Sequence, residues 1–183
     1  MKTADLKLSN VRTGHFNAFL EIPGLGGPIQ SRRGWISVDA KIRGKSFRFI
    51  TTHLEPLHPG IQVAQGNELL SGPANTSLPV VMAGDFNTRA DGTGTPTYGV
   101  LTAAGFADAW SQTRPGNPGY TCCHAADLHT LPAPLTERVD LVLTRGGFRA
   151  LSTELLGASP SDRTPSGLWP SDHAGVAAQL GLP

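Results

Sequence analysis

The run PVVMAGDFNTRADGTGTPTYG, residues 79–99, decides how the rest of the chain is read. Four apolar residues, Val80 to Ala83, lead through Gly84 into Asp85, Phe86 and Asn87, and a polar, glycine-rich loop follows. A short continuous apolar run bounded by turn residues fits a central strand covered on both faces. Its end is unusual, because an acid and an amide stand two residues apart where a turn needs only one of them. As plain structure, Asp85 caps a turn through its own side chain and Asn87 tolerates a left-handed backbone. A chemical reading requires that other strands end in the same way.

Upstream, HFNAFLEI (15–22) alternates Phe16, Ala18, Leu20 and Ile22 on one face, the pattern of a half-buried strand. GWISVDAKI repeats the alternation, Arg43-Gly44-Lys45 supplies a tight turn, and SFRFITTHL returns as the second arm of a hairpin. On that arm Phe47, Phe49, Thr51 and His53 share a face, so His53 ends an inward row. The spacing predicts a helix over 61–70, broken by GPANTS, and a second opening at Thr95-Pro96 and stopping at Gly105. VDLVL (139–143) reads as an apolar strand interrupted by Asp140, and HAGVAAQL as the last strand, entered through DRTPSGLWPSD. Mixed strands and few helices point to an α/β or α+β fold built mainly of antiparallel hairpins.

Composition narrows the class. With 183 residues, 39% hydrophobic and 16% charged, the chain reads as one loop-rich globular domain over 1–183, not a disordered segment. No apolar run approaches the ~18–20 residues of a membrane span. The first residues have no signal-peptide pattern, which implies an intracellular chain or one already trimmed. A net charge of +1 announces no basic stripe for nucleic acid, although bound cations can supply the charge a phosphodiester needs. The only cysteines, Cys122 and Cys123, are adjacent and read as two buried or half-buried thiols, with a metal pair or redox switch as the other reading. GLGG at 24–27 lacks the Lys and Ser/Thr of a phosphate loop and reads as a turn, and no G-x-S-x-G elbow marks a serine hydrolase.

The strand ends carry one chemical type: His53, Asp85 with Asn87, Asp140, and Asp172-His173 before the last strand. Asp140, amid Val139, Leu141, Val142 and Leu143, requires a partner, because an unpaired buried carboxylate is too costly to persist. His173 is the natural one; a carboxylate on one ring nitrogen fixes the tautomer and frees the other. Oxygen ligands, an amide and two imidazoles suit Mg²⁺ or Mn²⁺ and phosphate better than zinc.

VVMAGDFNT, FITTHLE, ERVDLVL and LWPSDHAGV, in this order, resemble the endonuclease/exonuclease/phosphatase superfamily with its DNase I-like fold. The resemblance covers about residues 34–180. It implies a four-layer αββα sandwich and Mg²⁺- or Mn²⁺-dependent hydrolysis of a phosphodiester substrate, as in a nuclease or phosphodiesterase. It implies that Asp85 and Asn87 bind the attacking water, the phosphate or a metal, and that His53 stabilises the transition state or moves a proton. It makes Asp172 a metal-side carboxylate, His173 the histidine that contacts the scissile phosphate or accepts a proton and that also counts among the metal residues, and Asp140 its orienting partner. Arg89, Arg163 and Trp169 are candidate substrate contacts, with Trp169 stacking a base or packing on its own prolines.

Members of that family normally carry an N-terminal portion with an Asn on the first strand and, after the next, a Glu that is the principal metal ligand. Asp5 and Glu21 lie in no version of that motif. The expectation is therefore the C-terminal two thirds of the usual fold, with an exposed sheet face, weak metal binding and a homodimer covering the apolar surface. A non-catalytic scaffold and a phosphomonoesterase are the competing readings.

Overall fold

The computed structural model describes residues 6–24 and 26–183. Asp5 lies outside the described residues. In chain order the elements are β1 (Lys7–His15), β2 (Leu20–Ile22), β3 (Ile29–Ser31), β4 (Gly34–Ile42) and β5 (Lys45–His53). Then come α1 (Pro59–Ser71), β6 (Val80–Asp85), α2 (Thr97–Ala103), β7 (Ala107–Asp108) and α3 (Ala109–Thr113). β8 (Asp140–Arg145), β9 (Arg149–Leu156) and β10 (Gly175–Gly181) complete the fold.

Six strands form one sheet in the order β1-β4-β5-β6-β8-β7. Among the described residues only β5 and β6 run parallel. A parallel pair needs a crossover, and α1 supplies it. Pro59 fits the first turn of α1, and His58 Nδ1 accepts the Ile61 N–H at 3.2 Å as its cap. The β4–β5 hairpin turns at Arg43-Gly44 and pairs Ile42 with Lys45 through to Trp35 with Thr52, as its alternation predicts.

Ile50, Val80, Met82, Leu141 and Leu143 face the helices and pack with Leu69 of α1, Leu101 of α2, Phe16 and Phe106 into one core. Gly66 lets α1 approach α2, since a Cβ there would stand 3.0 Å from Thr97 Cγ2. The opposite sheet face carries Phe47, Phe49, Val81, Ala83 and Val142, which with Phe148, Leu151 and the end of β10 line a cleft of about 820 Å³. The β9–β10 hairpin forms a small second sheet on this side, giving an α/β sandwich. The better-buried face of β5 is therefore Arg48, Ile50 and Thr52, not the Phe47–His53 row that the sequence favours. Arg48 is tolerated there because its guanidinium holds Asp39 at 2.7 and 3.1 Å and Pro73 O at 3.1 Å.

Two element boundaries differ from the sequence reading. No strand spans 15–22, because Glu68 accepts the backbone N–H groups of Asn17 and Ala18 at 2.8 and 2.9 Å and draws them off any ladder. Thr95 does not cap α2, which begins two residues later behind Pro96, while Thr95 hydroxyl turns to Gln62 and Thr88. Of GLGG, Gly24 and Gly27 are joined as a turn requires, Gly27 N–H donating to Gly24 O, and Leu25 lies outside the described residues. Gly105, at φ +86, ends the α2 segment as predicted.

Candidate active site

Sheet register builds the site. His53 ends β5, and its partner across the parallel pair is Asp85, the last residue of β6. Asp85 in turn pairs with Asp140, the first residue of β8. Register partners on adjacent strands project to the same face, about 4.8 Å apart. One histidine and two carboxylates thus stand in a row at one end of the sheet, on the cleft side. Gly84 makes room for the row: its φ is +155, and a Cβ there would overlap the Thr52 carbonyl.

His173 comes to this row from the loop before β10. Its Nδ1–H donates to Asp140 Oδ2 at 2.8 Å, the pairing the buried acid required. His53 Nε2 lies 3.3 Å from Asp85 Oδ2. The other oxygen, Asp85 Oδ1, accepts the Asn87 N–H at 2.8 Å, and Asn87 sits at φ +48. The turn role and the site role of Asp85 coexist, one on each oxygen. Asn87 Nδ2 donates to Leu54 O at 2.9 Å, and its carbonyl accepts Gln62 Nε2 at 2.6 Å, so the loop is locked to α1.

Asp85, Asp140 and His173 each bring a ligand atom within 4.8 Å of the others. Burial, and then the facing Asp140 carboxylate, hold Asp85 above the ordinary carboxylate range, against the Asn87 N–H and the two imidazoles. Two half-buried acids with excess negative charge fit a divalent cation between them. For His173, burial alone would lower the pKa, but the hydrogen bond and charge of Asp140, with Asp85 and Asp172, outweigh it and raise it.

A raised imidazole pKa has a defined sign in stability. Below the unfolded value of 6.5 the His173–Asp140 contribution is fully present, and it is lost as pH rises through the higher folded value. In metal-free protein the gap in thermal midpoint between wild type and His173→Ala should therefore shrink as pH rises above 6.5. A gap that stays constant or widens across that range overturns the assignment.

The remaining candidates divide. Asp172 is exposed beside His173, its Oδ1 accepting Ser171 Oγ–H at 3.1 Å, and it does not join the converging ligand atoms. Arg89 is half-exposed and paired with Glu137. Trp169 is 1% exposed, stacked on His124 with centroids 4.1 Å apart, and its Nε1–H donates to Thr130 O. It has no free face for a base; it is loop core, and the expectation of a stacking contact is corrected. Arg163 lies over the same ring and donates to Gly167 O and His129 O, so it braces this loop instead of reaching for substrate. Glu21 is engaged with Gln30 on the β2–β3 hairpin and stands outside the cluster. Cys122 and Cys123 are joined in a vicinal disulfide with Cys123 exposed, which corrects the reading of two buried thiols.

Arg33 is the residue that sequence reasoning missed. Its Nη1 lies 3.2 and 3.4 Å from the two ring nitrogens of His53. Counting the hairpin register back from Arg43-Gly44 brings the start of β4 opposite His53, and that count is the signal that would have found it. An open groove of about 520 Å³ continues from here past Arg32, His15, Trp35 and Thr51. Behind the site Glu55, 1% exposed, accepts the Leu57 N–H and anchors its own N–H on Gln65, fixing the loop after His53.

The fold recurs in solved structures. An endonuclease/exonuclease/phosphatase from Bacteroides vulgatus superposes with TM-score 0.72 at 18% identity, over 98% of this chain and 67% of that one. A mannosyl-6-phosphatase of Bacteroides thetaiotaomicron gives 0.69 at 15% identity, over 98% and 68%. D. rerio TDP2 complexed with single-strand DNA product gives 0.66 at 17%, over 99% and 70%. No protein of curated function matches the chain in sequence. The sequence pattern of the Endonuclease/Exonuclease/phosphatase family matches residues 20–173, which take in every member of the row, and the chain belongs to that family.

Proposed function

We propose that the protein is a divalent-metal-dependent phosphodiesterase, of nuclease type, acting at the His53–Asp85–Asp140–His173 row. The observation that carries the reading is the in-register row of His53, Asp85 and Asp140, completed by a His173 whose tautomer Asp140 fixes. Asp85 and Asp140, with Asn87 at the rim, would hold Mg²⁺ or Mn²⁺, and Asp172 stands apart from them on the exposed side. Such an ion neutralises phosphate charge and favours ionisation of water. Asp85 Oδ2 orients and accepts a proton from the attacking water. His53, with Arg33 behind it, binds non-bridging oxygens, as does the remaining Asn87 amide N–H. His173, held through Nδ1, presents Nε2 to the developing charge. The groove past Arg32 and Trp35 offers room for the second ester arm, and Arg89 borders the loop that would carry a leaving group.

Diester preference is tested with bis-(p-nitrophenyl) phosphate and a single-stranded oligonucleotide, set against p-nitrophenyl phosphate. Turnover of the diesters is expected to require added Mg²⁺ or Mn²⁺ on the order of millimolar, given few carboxylates. A faster monoester would make the protein a phosphomonoesterase, the chemistry named for the Bacteroides thetaiotaomicron neighbour. Inertness toward all three would leave a scaffold.

The reading includes a homodimer. Leu151 is 51% exposed at the mouth of the apolar cleft, and a second copy related by a twofold axis covers such a surface. Light scattering across a dilution series should show twice the chain mass; a monomer at every concentration removes the dimer from the reading.

A further inference from the structure

Cys122 and Cys123 have no part in the phosphoester chemistry, yet they pack against its histidine. Their segment is fixed: Ala174 N–H donates to Thr121 O at 2.8 Å and His124 N–H to Asp172 O at 2.7 Å. Cys122 also bridges both Glu137 and His173 through its backbone. Cys123 Sγ lies 3.7 Å from His173 Nε2, while Nδ1 is committed to Asp140. Both sulfurs and the ring nitrogen fall within 4.8 Å of one another. In the structure the sulfurs are bonded to each other.

We infer that reduction of this disulfide creates a binding site for a soft divalent cation, Zn²⁺, formed by Cys122 Sγ, Cys123 Sγ and His173 Nε2. Two thiolates and an imidazole are zinc donors, and magnesium, which takes oxygen, is excluded by the same set. With bonds of about 2.3 Å to sulfur and 2.0–2.1 Å to nitrogen, a tetrahedral site has S–N edges of about 3.6 Å. The Cys123–His173 separation already matches that edge, and reduction frees the sulfurs to spread to the ~3.7 Å of an S–S edge. Asp140 completes the arrangement from behind, since a carboxylate on the far ring nitrogen is the usual outer support of a metal-bound histidine. Exposed Cys123 gives reductant and ion a way in. The site has three protein ligands, so the fourth position takes water.

The chemistry balances with a phosphine as reductant. The S–S bond accepts two electrons, the phosphine leaves as its oxide with oxygen from water, and two protons reach the sulfurs. Zn²⁺ then displaces both protons. Occupation removes His173 Nε2 from the phosphate. Zinc should therefore silence the reduced enzyme, a consequence that rests on the proposed phosphoesterase reading, whereas the binding site itself does not.

The test is Co²⁺ titration of the whole chain, oxidised and phosphine-reduced, read by the thiolate-to-metal charge-transfer band and displaced by Zn²⁺. Reduced wild type should bind one equivalent with that band, and the oxidised protein should show none. Cys123→Ser should abolish the band, and His173→Ala should weaken binding by about 10-fold or more, the size of loss that follows a perturbed ligand set. Absence of the band in reduced wild type overturns the site. Equal affinity in His173→Ala overturns the three-ligand assignment. Folding of the variants is checked by circular dichroism, and the oxidised–reduced comparison decides the matter without them. Cobalt binding without diesterase activity would sink the function and leave this site standing.

Discussion

Asp85→Asn should lower diesterase turnover by about 10²–10⁴-fold, the range of a general acid–base contribution, while leaving the fold intact or firmer. The substitution keeps the shape and keeps an oxygen for the Asn87 N–H, so the turn at the end of β6 survives. What disappears is the Oδ2 charge facing His53 at 3.3 Å and the cation position beside Asp140. Stability should move the other way. Burial and Asp140 raise the Asp85 pKa above 3.8, so the folded state loses stability as pH rises from that value through the higher folded one. The neutral amide removes that loss, and the melting temperature at neutral pH should hold or increase. Activity above about a tenth of wild type at saturating Mn²⁺ would reduce Asp85 to a turn residue.

Arg138→Ala should cost about 3–5 kcal/mol of folding stability, the usual result of stripping one partner from a buried ion pair. Its guanidinium is 7% exposed and Asp108 opposite is 2% exposed. Arg138 donates to Asp108, to Pro118 O at 2.9 Å and to Ser111 Oγ at 3.1 Å. Asp108 also accepts from Tyr98 hydroxyl and from Trp110 N–H, which starts α3. Removing the arginine leaves a buried carboxylate with neutral donors only. Urea unfolding measures the effect, and a loss under about 1 kcal/mol, the scale of an exposed pair, would show the network to be dispensable.

The legible parts of the sequence were those where one physical term dominates. The hairpin of β4 and β5 showed because half-burial imposes alternation, and β6 because burial on both faces leaves no polar position. β1 escaped because its residues are almost all exposed, which erases any period. β9 pairs only with β10 and carries the same weakness. His53, Asp85, Asp140 and His173 were legible because polar groups at the ends of apolar strands conflict with local propensity. Arg33 reaches the site through the β4–β5 hairpin register, a signal present in the sequence and left uncounted, and the cysteine pair through loop packing, which no local pattern encodes. Trp169 was read two ways from a proline-rich loop, and only its stacking on His124 decides between them.

The row at the sheet's end has a consequence for how such a protein can change over generations. Its spacing is set by the separation of hydrogen-bonded strands, a constant of backbone geometry, and not by any loop. Insertions or exchanges in 88–97 or 124–135 can reshape the rim while His53, Asp85 and Asp140 stay in step. Preference for one phosphate ester over another can then drift by trial in the loops, with the reacting groups inherited unchanged.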